Sequence, residues 1–397
     1  MARPHLAKMN KFKKLTQPVK VLYISTYIPR KCGIATFTKD LTNAINLLNP
    51  LALAQIAAMD NKISEGLRYP HEVKFRLRQE VKEDYDEVVN YINETGEIDL
   101  VVIQHEFGIF GGDNGELVLE FIEKLQKPII VTFHTVLEKP TQKMKEIIMH
   151  IGKRAKYLIV MLDAAKEMLI NKYKIDRRKI VVIPHGVPDF PRLTNGKKKL
   201  GLYGKVVMTS ANLVSSSKGI EYVIAAMPEI IKEIPEIVYL VVGETHPVVK
   251  LAEGEKYRHR LKKMAKNLAL GRHVKFVNKY LPLQKLIKYV AASDLYITPY
   301  LDPQQAASGS LAYAIGAGKA CISTPYLYAR EMFDLGCGKL VPFADSEAIA
   351  RTVIETWKDK QSRIECEQKA YELGRTMTWY YVGHQYYHLM QHALRKP

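Results

Sequence analysis

Lys205-Val206-Val207-Met208-Thr209-Ser210 is the stretch on which the fold turns. It is a short apolar run near the middle of a 397-residue chain, and it restarts a pattern that opens with Val19-Lys20-Val21-Leu22-Tyr23-Ile24-Ser25. Each run is followed by a loop and then by a helical stretch, predicted over residues 35–47 in the first case and 220–227 in the second. Further apolar runs follow the first at 98–103, 128–133, 157–162 and 180–183, and the second at 239–242, 274–277, 295–298 and 320–323. Short apolar runs spaced by helical stretches are the mark of βαβ units, whose parallel strands are buried on both faces. The polar segment 190–199, with Asn195-Gly196 and three consecutive lysines, reads as a linker. The fold class expected is therefore α/β. Its parts are a basic extension (1–18), two doubly wound domains (19–192 and 200–376) and a C-terminal helix (377–397).

Composition removes several other classes. Hydrophobic residues make up 47% and charged residues 25%, which excludes a disordered, collagen-like or coiled-coil chain. No apolar run reaches the roughly 18 to 20 residues of a membrane span. The basic N-terminus is not followed by the apolar segment of a signal peptide, so a cytoplasmic setting is expected. Cys32, Cys321, Cys337 and Cys366 contain no C-x-x-C pair, which argues against structural zinc and against a disulfide framework. The net charge of +18 suits a polyanionic partner. The basic residues read as spread along the chain, and no recognition helix, RNP motif or Cys/His finger is present, so no nucleic acid partner is expected.

Open parallel sheets bind ligands beyond the carboxyl ends of their strands, so the strand ends are the places to search for chemistry. Gly33 follows the first strand, with Arg30 and Lys31 beside it. There it can present helix N–H groups to an anion, or simply make a βα turn. His105-Glu106 ends a strand and leads into the glycine-rich segment 107–115, read as a mobile substrate loop. His134 and His185-Gly186 end two more strands. Three strand-end histidines raise the question of a metal, but neither H-E-x-x-H nor H-x-H occurs, and none is expected. In the second half, Lys218-Gly219 precedes a helix and suits a phosphate. Gly243-Glu244 ends a buried strand. Ser308-Gly309-Ser310 opens a small-residue helix, either as an ordinary cap or as a diphosphate seat.

Taken in order, these pieces resemble the retaining glycosyltransferases of GT-B fold, group-1/family-4 type. The matching residues are Gly33, His134, His185-Gly186-Val187, Lys218-Gly219, Gly243, the segment 291–299, and Ala314-Ile315-Gly316-Ala317-Gly318-Lys319-Ala320 leading to Glu331. The resemblance implies two Rossmann-like domains facing a cleft, with the C-terminal helix crossing back to the first. It implies transfer of a sugar, with retention and without a metal, from a nucleotide-diphosphate sugar of the GDP-mannose or UDP/ADP-glucose class to a hydroxyl acceptor. No cofactor is implied beyond that donor substrate. His134, Lys218 and Gln305 take the catalytic positions. Gly33, Asn212, Gly243, Glu244, Lys279, Tyr280, Ser308, Gly309, Ser310 and Tyr313 take the donor side, and Arg30, His105, Glu106 and His185 the acceptor side. The acceptor is expected to be a carbohydrate, a glycoside or a lipid-linked sugar. Peripheral contact with the inner face of a membrane is expected through residues 8–20 and the apolar-aromatic loop 107–110.

Three positions depart from the family pattern. Its two glutamates, seven residues apart, fall on Gln305 and Tyr313. Its arginine, six residues before the phosphate lysine, falls on Asn212. Arg30, Lys31 or Lys279 are the candidates to replace that charge. The alternative is a catalytically weak nucleotide-sugar-binding protein of the same fold.

Overall fold

The computed structural model describes residues 18–62, 64–190 and 196–395. The basic extension before residue 18, and with it most of the expected membrane-contact segment, lies outside the described residues, as does part of the expected linker.

Two sheets form, each parallel throughout. The first contains β1 (Val21–Ser25), β2 (Gln55–Asp60), β3 (Val73–Arg78), β4 (Leu100–His105), β5 (Ile129–Phe133), β6 (Tyr157–Val160) and β7 (Ile180–Val182). Its order is β3-β2-β1-β4-β5-β6-β7, so the direction of winding reverses between β1 and β4. Its helices are α1 (Gly33–Leu48), α2 (Lys82–Glu94), α3 (Leu117–Lys124), α4 (Gln142–Arg154) and α5 (Asp163–Asn171). After the short α6 (Gly196–Lys199) comes the second sheet. It contains β8 (Val206–Ala211), β9 (Ile237–Val242), β10 (Val274–Val277), β11 (Leu295–Thr298), β12 (Ala320–Ser323) and β13 (Gly338–Leu340), in the order β10-β9-β8-β11-β12-β13. Helices α7 (Ile220–Glu233), α8 (Pro247–Glu253), α9 (Lys256–Asn267), α10 (Leu283–Ala292), α11 (Gly309–Gly316), α12 (Leu327–Phe333), α13 (Ser346–Lys358) and α14 (Lys360–Thr376) accompany it. The last helix is α15 (Trp379–Ala393).

The expected strands are found, most of them within two residues of their predicted bounds. Three strands are additional. β2 reads Gln-Ile-Ala-Ala-Met-Asp, and its alanines weaken the apolar signal although every residue after Gln55 is buried. β3 is an edge strand of alternating character, Val-Lys-Phe-Arg-Leu-Arg, in which only Leu77 is fully buried. β13 has only three residues.

Central strands β1, β4, β8 and β9 are buried along their whole length, because helices cover both faces of each sheet. The helix α15 crosses back to the first sheet. It lies on α1, where a Cβ at Gly383 would stand 2.9 Å from the Cβ of Ala44. Val382, Tyr386 and Met390 share a buried cluster with Leu41 and Ile45. The Tyr386 hydroxyl bonds that of Thr132 at 3.1 Å. Before α15, Val187 donates to Met377 O at 2.8 Å and Trp379 donates to Val187 O at 2.9 Å.

The structure corrects the reading of the segment after β4. Residues 107–110 do not form a mobile loop or a membrane-facing surface, since Phe107, Ile109 and Phe110 are buried. Gly111 serves packing: a Cβ there would overlap Gln79 O at 1.9 Å. His105 belongs to this core and is not presented to the cleft. It has no exposure, and neither ring nitrogen has a partner. Its ring stacks on Phe110 at 5.9 Å and meets the edges of Phe107 and Phe133, each at 5.2 Å.

Burial in this aromatic box lowers the His105 pKa to about 3. The unfolded chain binds this proton below about pH 6.5, whereas the folded chain refuses it until about pH 3. This histidine therefore removes stability as pH falls through that window, at up to about 1.4 kcal/mol per pH unit. His105→Leu should fold with no loss of stability at pH 7, because two unbonded buried nitrogens are replaced by apolar atoms. In urea titrations between pH 6.5 and 4, the variant should lose stability less steeply than the parent by about one proton. Parallel curves would sink this account of His105.

Candidate active site

The carboxyl ends of the two sheets face each other across a cleft, and most of the candidate residues lie on its two rims. On the second rim, β8 ends at Ala211 and β9 at Val242. The two strand-end turns approach so closely that a Cβ at Gly243, whose φ is +132°, would fall 1.9 Å from Asn212 O. Only glycine fits there. Arg258, fully buried on α9, supports this turn by donating to Gly243 O at 2.8 Å. The side-chain amide of Asn212 is buried with neither its oxygen nor its nitrogen bonded.

Lys218 stands just before α7. Gly219 follows with φ +62°, and a Cβ there would meet Pro299 O at 2.0 Å, so the glycine lets the Lys218 turn close onto the end of β11. The Lys218 Nζ lies 3.8 Å above the Tyr300 ring and donates to Gln305 Oε1 at 3.4 Å. Gln305 in turn donates to Ala307 O at 2.9 Å, so Gln305 and Lys218 form one fixed pair. Tyr300 is itself stacked on Tyr326 at 5.0 Å.

Ser308 caps α11 by accepting from Leu311 N at 3.2 Å. The Ser310 hydroxyl does not face outward. It donates to Ala211 O at 2.7 Å and meets the Tyr296 hydroxyl at 2.8 Å, tying α11 to the end of β8. What the start of α11 offers a ligand is therefore its backbone N–H groups, with Gly309 the small residue among them. Lys279 is exposed, with no ion pair among the described residues.

On the first rim, Cys32 caps α1 through its sulfur, and Gly33 has open space where a Cβ would stand. Arg30 is buried and donates to Met59 O at 3.0 Å, and its charge is close enough to His246 of the second rim to add to burial and Lys218 in lowering that pKa. Glu106 accepts from Thr135 Oγ1 at 2.6 Å and from Phe107 N at 3.0 Å, and burial raises its pKa. His134 shares a hydrogen bond with Gln104 Oε1 at 2.8 Å and meets the edge of Phe37 at 5.0 Å. Its pKa falls to about 3, chiefly through burial. His185 bonds Gly186 O at 2.8 Å, and burial takes its pKa to about 4. Both rings are therefore neutral at pH 7.

Several contacts join the rims. Lys31 Nζ pairs with Glu244 at 2.9 Å. The Tyr280 hydroxyl meets Thr36 Oγ1 at 3.2 Å. The Nε2 of His185 lies 3.1 Å from where a Gly309 Cβ would stand. Tyr313 donates to Asp40 Oδ2 at 3.4 Å. Farther out, Glu331 accepts from Asp163 N at 2.8 Å and Ala164 N at 2.9 Å, at the start of α5. Gln304 Oε1 accepts from Glu138 N and Lys139 N at 3.2 and 3.3 Å.

Asp40, Tyr300 and Gln304 are not among the sequence-based candidates. Asp40 carries a usable signal: it follows Gly33 and Phe37 at helical spacing on one face of α1. Desolvation raises its pKa to about 6. The pairing of Gln304 with backbone in the other half leaves no trace in the sequence.

Two family models match the chain in tandem, Glycosyltransferase Family 4 over residues 59–189 and Glycosyl transferases group 1 over residues 193–373. The phosphatidyl-myo-inositol mannosyltransferase of Mycolicibacterium smegmatis is 24% identical over 272 residues, covering 66% of this chain and 65% of that protein. The alpha-monoglucosyldiacylglycerol synthase of Streptococcus pneumoniae is 23% identical over 335 residues, covering 77% and 71%. Among solved structures, Anabaena HepE in complex with UDP-glucose superposes with a TM-score of 0.73 at 16% identity, covering 94% of this chain and 99% of that one. Sucrose-phosphate synthase from Thermosynechococcus elongatus gives 0.74 at 16% identity, covering 94% and 98%. With its two facing doubly wound sheets and returning helix, the chain belongs to the group-1/family-4 glycosyltransferases of GT-B fold.

Proposed function

We propose that the protein moves a hexosyl group from a nucleotide-diphosphate sugar, of the GDP-mannose or UDP/ADP-glucose class, to an acceptor hydroxyl, with retention at the anomeric carbon and without a metal. The observation that carries this reading is Lys218, fixed over Tyr300 and against Gln305, on the same rim as the N-terminus of α11. A cation and a set of backbone N–H groups on one rim suit a diphosphate leaving group. Gly33 opens α1 on the facing rim with space beside it, where its N–H groups add to the same anion.

In this reading the donor lies along the second sheet and the acceptor on the first. The bond from the anomeric carbon to the phosphate oxygen breaks, and its electron pair leaves with the nucleotide. Lys218 and the α11 terminus take up that charge. The acceptor oxygen attacks the face the phosphate leaves, and its proton passes to the departing phosphate oxygen. No enzyme nucleophile is required. Neutral His134 hydrogen-bonds the donor sugar, and Gln305 orients Lys218 and binds sugar hydroxyls. The buried, unbonded amide of Asn212 at the end of β8 is the polar group that a bound nucleotide phosphate satisfies, though with no charge. The names of the mannosyltransferase and diacylglycerol synthase relatives favour a lipid-linked acceptor, consistent with peripheral action at a membrane.

A second reading is a weak nucleotide-sugar binder. It is favoured by Tyr313, whose phenol is directed to Asp40 of the facing rim at the position where the family pattern places a carboxylate. Thermal-shift measurements with GDP-, UDP- and ADP-sugars in EDTA, followed by assay of released nucleotide, separate the two. A transferase is stabilised by one sugar nucleotide and consumes it. A binder is stabilised without consumption, and a chain that responds to none of them is neither.

Within the first reading, Lys218→Ala should lower kcat/KM by about 10²- to 10³-fold with an unchanged melting temperature. A variant within threefold of the parent would remove Lys218 from the phosphate.

A further inference from the structure

The net charge is not spread evenly. Residues 246–288 carry twelve Lys and Arg against Glu253 and Glu255 alone, a net +10 of the chain's +18. In the fold this segment becomes α8, α9, β10 and α10, at one edge of the second sheet.

Its burial pattern decides which way the charge points. Tyr257, Arg258, Leu261 and Ala265 form the buried row of α9. The opposite row holds Lys256, Arg260, Lys263 and Asn267 at helical spacing, with Lys262 and Lys266 beside it, all exposed. Arg260 pairs with Glu221 at 3.0 Å, and Glu255 is taken by Arg258 at 3.1 Å and Lys250 at 3.7 Å. The four lysines of the outward side have no ion pair among the described residues. Glu253 is the one exposed acid within the segment.

The neighbouring helix is unusual in the other direction. α8 buries none of its residues. Val248 is 52% exposed and Leu251 is 72% exposed. Beyond the far end of α9, an open groove of about 490 Å³ is lined by Lys262, Lys266 and the apolar Ala265, Val274 and Phe276.

We propose that the face formed by α8, α9 and β10 docks on an anionic lipid bilayer, with the lysines on headgroup phosphates and Val248 and Leu251 entering the interface. Charge alone would suit any polyanion, and the apolar side chains make the choice. Basic residues alternating with exposed aliphatic ones fit a surface that is anionic outside and apolar beneath. Single-stranded nucleic acid calls for a series of aromatic stacking platforms, and this face offers only the half-buried Phe276 of the groove: Tyr257 is buried, and Tyr280 is engaged with Thr36.

Position adds meaning. α8 is capped by His246, two residues after Glu244, which pairs with Lys31 across the cleft. Docking this face sets the cleft mouth at the lipid surface, where a lipid-linked acceptor is reached without leaving the bilayer. The inference extends the proposed transferase reading but is tested apart from it.

The test is co-sedimentation of the full chain with vesicles of phosphatidylcholine alone or mixed with phosphatidylglycerol, at low and high salt. The parent should pellet with the mixed vesicles only, and most of that binding should be lost at high salt. The variant Lys256→Glu/Lys263→Glu/Lys266→Glu should reduce the bound fraction at least about tenfold. Val248→Ser/Leu251→Ser should abolish the salt-resistant remainder. All these residues are exposed, so melting curves should not move. Unchanged vesicle binding by the charge-reversed variant would overturn the proposal. So would a parent that ignores vesicles but binds single-stranded RNA through the same lysines. If vesicles bind as expected while no sugar nucleotide is consumed, the transferase reading fails and the docking face stands.

Discussion

Glu331 holds the two halves in the arrangement on which the cleft depends. Its two carboxylate oxygens take the backbone N–H groups of Asp163 and Ala164, the first donors of α5. A helix N-terminus has donors without intrahelical partners and a partial positive charge, so a carboxylate from the other half meets both needs at once. Hydrogen bonds to a charged group contribute about 1.5–3 kcal/mol each when shielded from water, and less here, because Asp163 is exposed. The Lys31–Glu244 pair is weaker, since Lys31 is 47% exposed and exposed pairs contribute about 0–1 kcal/mol. Glu331 is therefore the stronger fastening and Lys31–Glu244 the weaker.

The fold was legible because its signal is redundant. Parallel strands buried on both faces must be apolar runs, and runs such as 274–277, 295–298 and 320–323 coincide with the observed strands. β2 and β3 were not legible for opposite reasons: β2 is buried but rich in alanine, and β3 is half-exposed and charged. The site was legible in its glycines and in Lys218, whose reasons are local. A glycine at +132° after a strand, or at +62° before a helix, announces a close approach that sequence order alone can suggest. His105 was misplaced because a strand end does not say whether its last side chain points to the cleft or to the core. Alternation along β4 decides that, and in a strand buried on both faces the alternation is invisible in the sequence. Asp40 and Gln304 were missed because their partners lie in the other half of the chain.

The family carboxylate at position 313 is replaced by a phenol, yet a carboxylate is present within reach of that phenol. Asp40 lies across the cleft and accepts from the Tyr313 hydroxyl. Desolvation raises its pKa to about 6, against the lowering effects of the bond from Tyr313 and the Lys39 charge. The carboxylate stands on α1 of the first half and not on α11 of the second. A carboxylate on α11 would belong to the second half alone, whereas one on α1 meets Tyr313 from across the cleft, so this contact depends on how the two halves are held.

The same logic applies to charge. Arg30 is buried and bonded to Met59 O, and Asn212 is neutral, so Lys218 and Lys31 carry much of the accessible positive charge, the latter already paired with Glu244. The large positive charge of residues 246–288 lies outside, beginning at the cap of α8 where the cleft rim ends. Within the cleft, the backbone N–H groups at the start of α11 share a rim with one well-placed lysine, and the strength of such an arrangement comes from fixed geometry in a shielded space. Outside, many unpaired lysines on an exposed helix act additively and are screened by salt. A small anion suits the first arrangement and an extended anionic surface the second, so the two placements of positive charge differ in the kind of anion each can match.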